Sequence, residues 1–176
     1  MPAVAEEVSI EIDPELLEAF DFPVGSTWSY YGFGDLTFEL IERNEGQLPP
    51  CDDATCDRSL YIHQVYRNNS TGETYDQWLI QDEIRMRGGS ERIEGAEIVF
   101  SLNPTEDGIE TWYTVSDWLF NNGETVEVQI MHVEGMEVGR QDFYWAKGVG
   151  QACFFASTID NPTDNMWELG DWNIPE

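Results

Sequence analysis

From residue 25 onward, apolar and polar side chains alternate with period two in runs broken by Gly, Asn and Pro, which is the pattern of half-buried strands joined by turns. Residues 25–33 put Trp28 and Tyr30 on one face and Tyr31 and Phe33 on the other. Residues 35–43 set Leu36, Phe38 and Leu40 against Thr37 and Glu39. Residues 58–68 and 73–87 read as a hairpin around Asn69-Ser70-Thr71-Gly72, and in the second arm Trp78, Ile80, Ile84 and Met86 share a face with Asp82. Residues 92–101 align Ala96, Ile98 and Phe100. Residues 109–120 then reach Asn122-Gly123, the strongest short hairpin signal, before 125–133 alternates Val126, Val128 and Ile130 with Glu127 and Gln129. Two further strands are expected near 137–146 and 149–158.

One segment has the helical grammar instead. Asp13 can cap, Pro14 suits the first helical position, Glu15 complements the N-terminus, and Leu16, Leu17 and Phe20 form a stripe that Pro23 ends. With no helix between strands, the expected fold is all-β: a single antiparallel meander of about eight to ten strands, closed into a barrel or half-barrel so that its edges are protected, and plugged by the 14–20 helix. The expected organisation is an N-terminal arm and short helix (1–24), an antiparallel β domain (25–158) and an acidic tail (159–176) with isolated Trp167 and Trp172. In the arm, Val8, Ile10 and Ile12 alternate with Ser9 and Glu11, a pattern suited to strand addition onto a neighbouring sheet in a surface assembly.

Charge narrows the partners. Thirty-five acidic residues against 8 basic ones give a net charge of −27 over 176 residues, which repels phosphate backbones and anionic membrane surfaces and excludes nucleic acid as a partner. No apolar run is long enough for a membrane span. Lys147 is the single lysine beside seven arginines, a balance that fits either a salty environment or an ordinary acidic secreted protein. The 13% aromatic content argues against disorder and supplies the core.

Cys51 and Cys56 sit in a Pro-bounded acidic loop at a spacing that allows a local disulfide, which is favoured over free thiols and suits an oxidising compartment. Cys153 lies between apolar neighbours and reads as a buried free thiol. With only His63 and His132 and no second Cys pair, no zinc site is expected, and the acidic loops at 51–57 and 160–164 lack the spacing of a calcium loop. The first residues lack the basic and apolar regions of a signal peptide. The sequons within 68–71 read as a polar turn.

Two fragments stand out: Phe22-Pro23-Val24-Gly25-Ser26-Thr27-Trp28-Ser29-Tyr30 and Tyr144-Trp145-Ala146-Lys147-Gly148-Val149-Gly150. Together they resemble the opening FPL-x-VG-x-x-W-x-Y and closing Y-x-A-x-GVG-x-V signatures of bacterial exported, lipoprotein-like β domains with a LolA/LolB-like curved sheet. That family continues with Val-Lys where this chain has Gln151-Ala152, and its lipid-bearing Cys is not found here. The resemblance implies an extracytoplasmic β domain and carries no catalytic residues.

No nucleophile elbow, phosphate loop, zinc motif or dinucleotide fingerprint is present, and no cofactor is expected. His132 and Asp82 each extend an apolar strand face, so an Asp–His general base is one candidate and two solvated strand ends the other. Arg85, Arg87 and Arg92 form a basic island that either receives an anion or pairs with nearby glutamates. The aromatic surplus weighs more. Trp28, Tyr30, Trp78, Trp112 and Trp145 are the candidate ligand-binding residues, for an apolar or sugar-like small molecule or another protein, against plain core packing. The first reading is a non-enzymatic exported binding domain, with a small hydrolase- or isomerase-like barrel enzyme and an assembly subunit as alternatives. The sequence leaves the oligomeric state open.

Overall fold

The computed structural model describes residues 12–32, 35–47, 60–81, 83–88, 93, 97–101, 109–120, 122–135, 139–157 and 165–176. The helix α1 spans Pro14–Phe20. Its cap works as the sequence implies: the Asp13 carboxylate accepts the Glu15 N–H at 2.8 Å, Pro14 opens the first turn, and Leu16 and Ala19 are buried. Eleven strands follow: β1 (Thr27–Tyr31), β2 (Leu36–Gln47), β3 (Leu60–Asn68), β4 (Thr74–Ile80), β5 (Glu83–Gly88), β6 (Glu97–Ser101), β7 (Ile109–Leu119), β8 (Thr125–Gly135), β9 (Gly139–Ala146), β10 (Gly150–Ser157) and β11 (Asn165–Asn173).

All eleven belong to one antiparallel sheet, in the order β6-β5-β4-β3-β2-β1-β11-β10-β9-β8-β7. The chain starts in the middle, meanders out to β6, begins again at the opposite edge with β7 and meanders back until β11 pairs with β1. The structure has the expected all-β fold, one antiparallel sheet with one helix; its strands number eleven, one above the expected range, and run as two meanders. The extra strand comes from the segment expected as an acidic tail. Trp167 and Leu169 alternate as a strand should, but an extra residue, Gly170, interrupts the register between Ser29 and Tyr30 of β1 and shifts Trp172 out of phase. A Cβ at Gly170 would run into the Tyr31 ring, so any other residue at this bulge would have to displace that exposed side chain.

Parity explains why the sheet stays open. Neighbours alternate in direction, so an odd number of strands leaves β6 and β7 running the same way, and no hairpin can join them. The sheet nevertheless curls strongly. A flat sheet of this width would hold its edges roughly 48 Å apart, yet the Tyr113 hydroxyl on β7 donates to the Ser101 carbonyl on β6 at 2.6 Å. The seven-residue α1, only about 10 Å long, packs on Ile62, Leu79 and Ile84 from one half of the sheet and on Met131, Phe143 and Trp145 from the other. Contact with both wings places the helix in the concavity.

The helix is pinned at both ends. Asp13 N–H donates to Gln81 O at 2.7 Å, and Gly148 N–H donates to Glu18 O at 2.8 Å. Asp21, just past the helix, takes a forked pair from Arg43 at 2.6 and 2.9 Å. Leu16, Leu40, Leu79 and Leu169 are all within 1% of full burial, and each contributes roughly 1.5–3 kcal/mol of apolar transfer.

Strand alternation then assigns faces. The row Ile62–Leu79–Ile84 lies against α1, so the adjacent row His63–Trp78–Arg85 points to the opposite, outer face. In the other wing Tyr113–Met131–Phe143 faces inward and Trp112–His132–Asp142 faces outward.

Candidate functional site

Above α1, the inner face encloses a cleft of about 410 Å³. Its walls come from nearly every strand near the sheet centre: Trp28 and Tyr30 on β1, Leu36 and Phe38 on β2, Tyr66 on β3, Tyr75 and Gln77 on β4, Met86 on β5, Phe143 on β9, Gly150 and Gln151 on β10, and Trp167 on β11, with Phe20 and Phe22 from the helix side. The rings interlock, edge to face except for the tilted Trp28–Tyr66 pair. Phe22 meets Trp28 at 5.1 Å, Trp28 meets Tyr66 at 5.7 Å, and Phe38 contacts both Tyr30 at 6.0 Å and Tyr75 at 6.1 Å.

The two fragments that carry the sequence resemblance meet here. Trp28 Nε1–H donates to Val149 O at 2.7 Å, and the Tyr30 hydroxyl donates to Gln151 O at 2.8 Å. Gly150 has φ +102°, and a Cβ there would sit 3.2 Å from Trp28 Nε1 and 3.3 Å from the Phe22 ring. Its glycine lets the β10 backbone come up against that indole.

The Tyr30, Tyr66 and Gln77 polar groups of the cleft have partners within the protein. The Tyr66 hydroxyl and the Gln77 amide both donate to Gln64 Oε1, at 3.2 and 2.9 Å, and Gln64 Nε2 donates to Phe20 O at 2.9 Å. Burial raises the ionisation of Tyr30 and Tyr66 far above the ordinary phenol range, so both stay neutral and the cleft holds no phenolate. Such a lining favours an uncharged, apolar guest.

Of the five aromatic candidates, Trp28 and Tyr30 line this cleft. Trp145 packs beside the helix, 6.5 Å from Phe20 and 6.2 Å from Tyr113. Trp78 and Trp112 lie on the outer face, each stacked on a histidine. Phe38, Tyr66 and Trp167 also line the cleft and were not among the expected ligand-binding residues. The signal for the first two was present, since the 69–72 turn sets Tyr66 opposite Tyr75 and its neighbour β2 brings Leu40 opposite Tyr66.

The outer face carries two polar clusters. His132 Nδ1 lies 2.8 Å from Asp142 Oδ1, its Nε2 lies 2.7 Å from Thr114 Oγ1, and Trp112 stacks on the ring at 5.0 Å and 14°. His63 Nε2 lies 2.8 Å from Asp76 Oδ1, and Trp78 stacks on it at 5.0 Å and 16°. His132 thus pairs with Asp142, and Asp82, the acidic partner named from sequence, lies outside the described residues. The signal was legible: the Asn122-Gly123 turn sets Trp112 opposite His132, and the next hairpin sets Asp142 opposite His132. Of the basic island, Arg85 bonds Glu83 at 2.6 Å, Arg87 stands opposite Asp76, and Arg92 is outside the described residues.

Cys153 is free and fully buried, and burial pushes its thiol up to about 12, with Glu168 and Asp142 adding to the effect. Cys51, Cys56 and the acidic loop at 160–164 lie outside the described residues. Among the described residues no three His, Cys, Asp or Glu side chains gather as a metal site, and no helix is long and apolar enough to cross a membrane.

No protein-family model matches the chain, and no curated protein sequence does. Among solved structures, the chain is similar to a crystal structure described as a "putative lipoprotein" from Parabacteroides distasonis, at 10% identity and a TM-score of 0.43 over 86% of this chain and 97% of that one.

Proposed function

We propose that this protein is a binding domain for a neutral, apolar small molecule held in the aromatic cleft. The observation that carries the reading is the cleft's lining. Its volume of about 410 Å³ falls in the usual range for small-molecule sites, and the Tyr30, Tyr66 and Gln77 polar groups are engaged within the protein, which leaves the guest an aromatic wall. Sugar-like ligands fit less well, because their hydroxyls would lose water without gaining partners. An extracytoplasmic setting belongs to the same reading, supported by the likeness of the two sequence fragments to exported domains.

Titration with the uncharged fluorophore N-phenyl-1-naphthylamine tests this. Saturable enhancement with one site per chain is expected, together with quenching of Trp28 and Trp167 emission. Met86→Trp should fill the cleft and weaken the probe at least about tenfold, equivalent to ~1.4 kcal/mol. Absence of saturable binding, or binding that Met86→Trp leaves unchanged, would overturn the reading.

A second reading, enzymatic, rests on the Thr114–His132–Asp142 chain. A hydroxyl on Nε2 and a carboxylate on Nδ1 are the two contacts that activate a nucleophile in acyl transfer. Labelling of Thr114 by a fluorophosphonate probe, retained in Thr114→Ser and lost in Thr114→Val, would support it. A folded wild-type chain that takes up no label would remove it.

A further inference from the structure

The two edges of the sheet are built differently, and the difference points to a surface with a purpose. β6 has five residues, and its register against β5 is broken by an irregularity next to Ile84, both of which blunt an edge. β7 has eleven residues in unbroken register with β8 and contains neither Pro nor Lys. Four of the seven exposed large apolar side chains among the described residues lie on it: Trp112 at 38% exposure, Tyr113 at 41%, Val115 at 60% and Leu119 at 65%. Residues 112–119 include one charge, Asp117, in a chain of net charge −27. Below the Tyr113–Ser101 contact, 114–119 is exposed at all positions except half-buried Trp118.

We infer that β7 is a self-association edge, which pairs antiparallel with β7 of a second copy of this chain across a twofold axis. A twofold needs a self-complementary strand, and this one qualifies. An axis through Ser116 sets Tyr113 against Leu119 and Thr114 against Trp118, and places Val115 beside Asp117, so the two Asp117 carboxylates do not face each other. A cationic partner would be drawn to the acidic body at large rather than to an exposed stretch with a single charge in eight residues, which favours a second copy. This inference is independent of the cleft, to whose lining β7 contributes no residue.

Its sign with salt is unusual. Two bodies of charge −27 repel, and the strand contact between them is apolar, so association strengthens as the Debye length shrinks from about 10 Å at 0.1 M to about 3 Å at 1 M salt. One strand pair is small beside the roughly 1,200–2,000 Å² of stable interfaces, so a reversible dimer at high protein concentration is expected.

Sedimentation equilibrium across that salt range is the test. The expected result is a monomer–dimer equilibrium whose association constant rises at least about tenfold at the higher salt. Val115→Lys should lower that constant about tenfold or more while circular dichroism and melting stay at wild-type values, because Val115 is mostly solvated already. Val115→Pro, which removes an N–H on the free side of the strand, provides a second variant with the same expected loss. A monomer at every salt concentration, a dimer that weakens with salt (the mark of a cationic or ion-paired contact), or a dimer indifferent to both variants would overturn the inference.

Discussion

The wing formed by β3–β5 and the wing formed by β7–β9 solve one problem with the same parts. Each lays an apolar row on α1, and each carries a Trp–His–carboxylate cluster on the neighbouring outer row, with the indole stacked on the imidazole at 5.0 Å. They differ in placement. Trp78 stands on β4, between two strands, and is 2% exposed, whereas Trp112 stands on the edge strand β7 and is 38% exposed. The carboxylates differ too. Asp142 is directly opposite His132 and meets the near ring nitrogen, whereas Asp76 is diagonal to His63 and meets the far one. That geometry leaves Nε2 of His132 for Thr114. The same cluster is therefore buried in one wing and partly exposed in the other.

The tryptophans give the sharpest test of this contrast. Trp78→Ala should cost about 3–5 kcal/mol, as for a buried aromatic, and Trp112→Ala no more than about 1–2 kcal/mol. Urea midpoints measured on the two variants would expose an equal cost, and equality would break the comparison.

A smaller effect is expected at the carboxylates. Asp142→Asn and Asp76→Asn should each lose roughly 1.5–3 kcal/mol, the worth of a hydrogen bond to a charged group. Asp142→Asn should be the larger, because the His132 ring it orients also holds Thr114. Thermal melts of both variants and of Thr114→Val would show this as non-additivity between positions 142 and 114 and additivity between 76 and 114.

The smallest effect belongs to the bond that joins the wings. Tyr113→Phe removes the link to Ser101 and should cost about 0.5–1.5 kcal/mol. Burial, aided by Glu15, pushes the Tyr113 phenol up to about 12. The neutral form is therefore favoured in the folded chain. Its contribution is complete below the unfolded value near ~10 and is lost as pH rises through about 12. A difference titration at the phenolate absorption band, wild type against Tyr113→Phe, should show one group with that late midpoint; a midpoint at the ordinary phenol value would mean that the ring is in water.

The sequence disclosed the strand rhythm, the capped 14–20 helix and the aromatic investment, because those are local and periodic signals. It concealed whatever depends on a single irregular residue or on distant pairing. Gly170 put Trp172 out of phase with Trp167 and Leu169, so the central strand β11 read as a tail. The break between β6 and β7 left no mark in the residues around it, since an edge strand alternates just as an interior one does. Two of the cleft's walls, Trp28 and Tyr30, were visible as ring-bearing positions on a strand. That they share a space with Trp167 follows only from β1 pairing with β11.

That pairing also dictates an order of events. Thr27 lies opposite Asn173 and Tyr31 opposite Glu168, so the middle of the sheet joins the beginning of the described chain to its end. During synthesis, β1 through β6 can form one local meander and β7 through β10 another, but no strand pairing joins them until residues 165–173 have left the ribosome. Until then β1 shows a bare flank. Closing so long a loop last makes assembly slow and leaves a vulnerable intermediate. The heavy negative charge, which adds nothing to the cleft, keeps such half-built chains apart while they wait for their final strand.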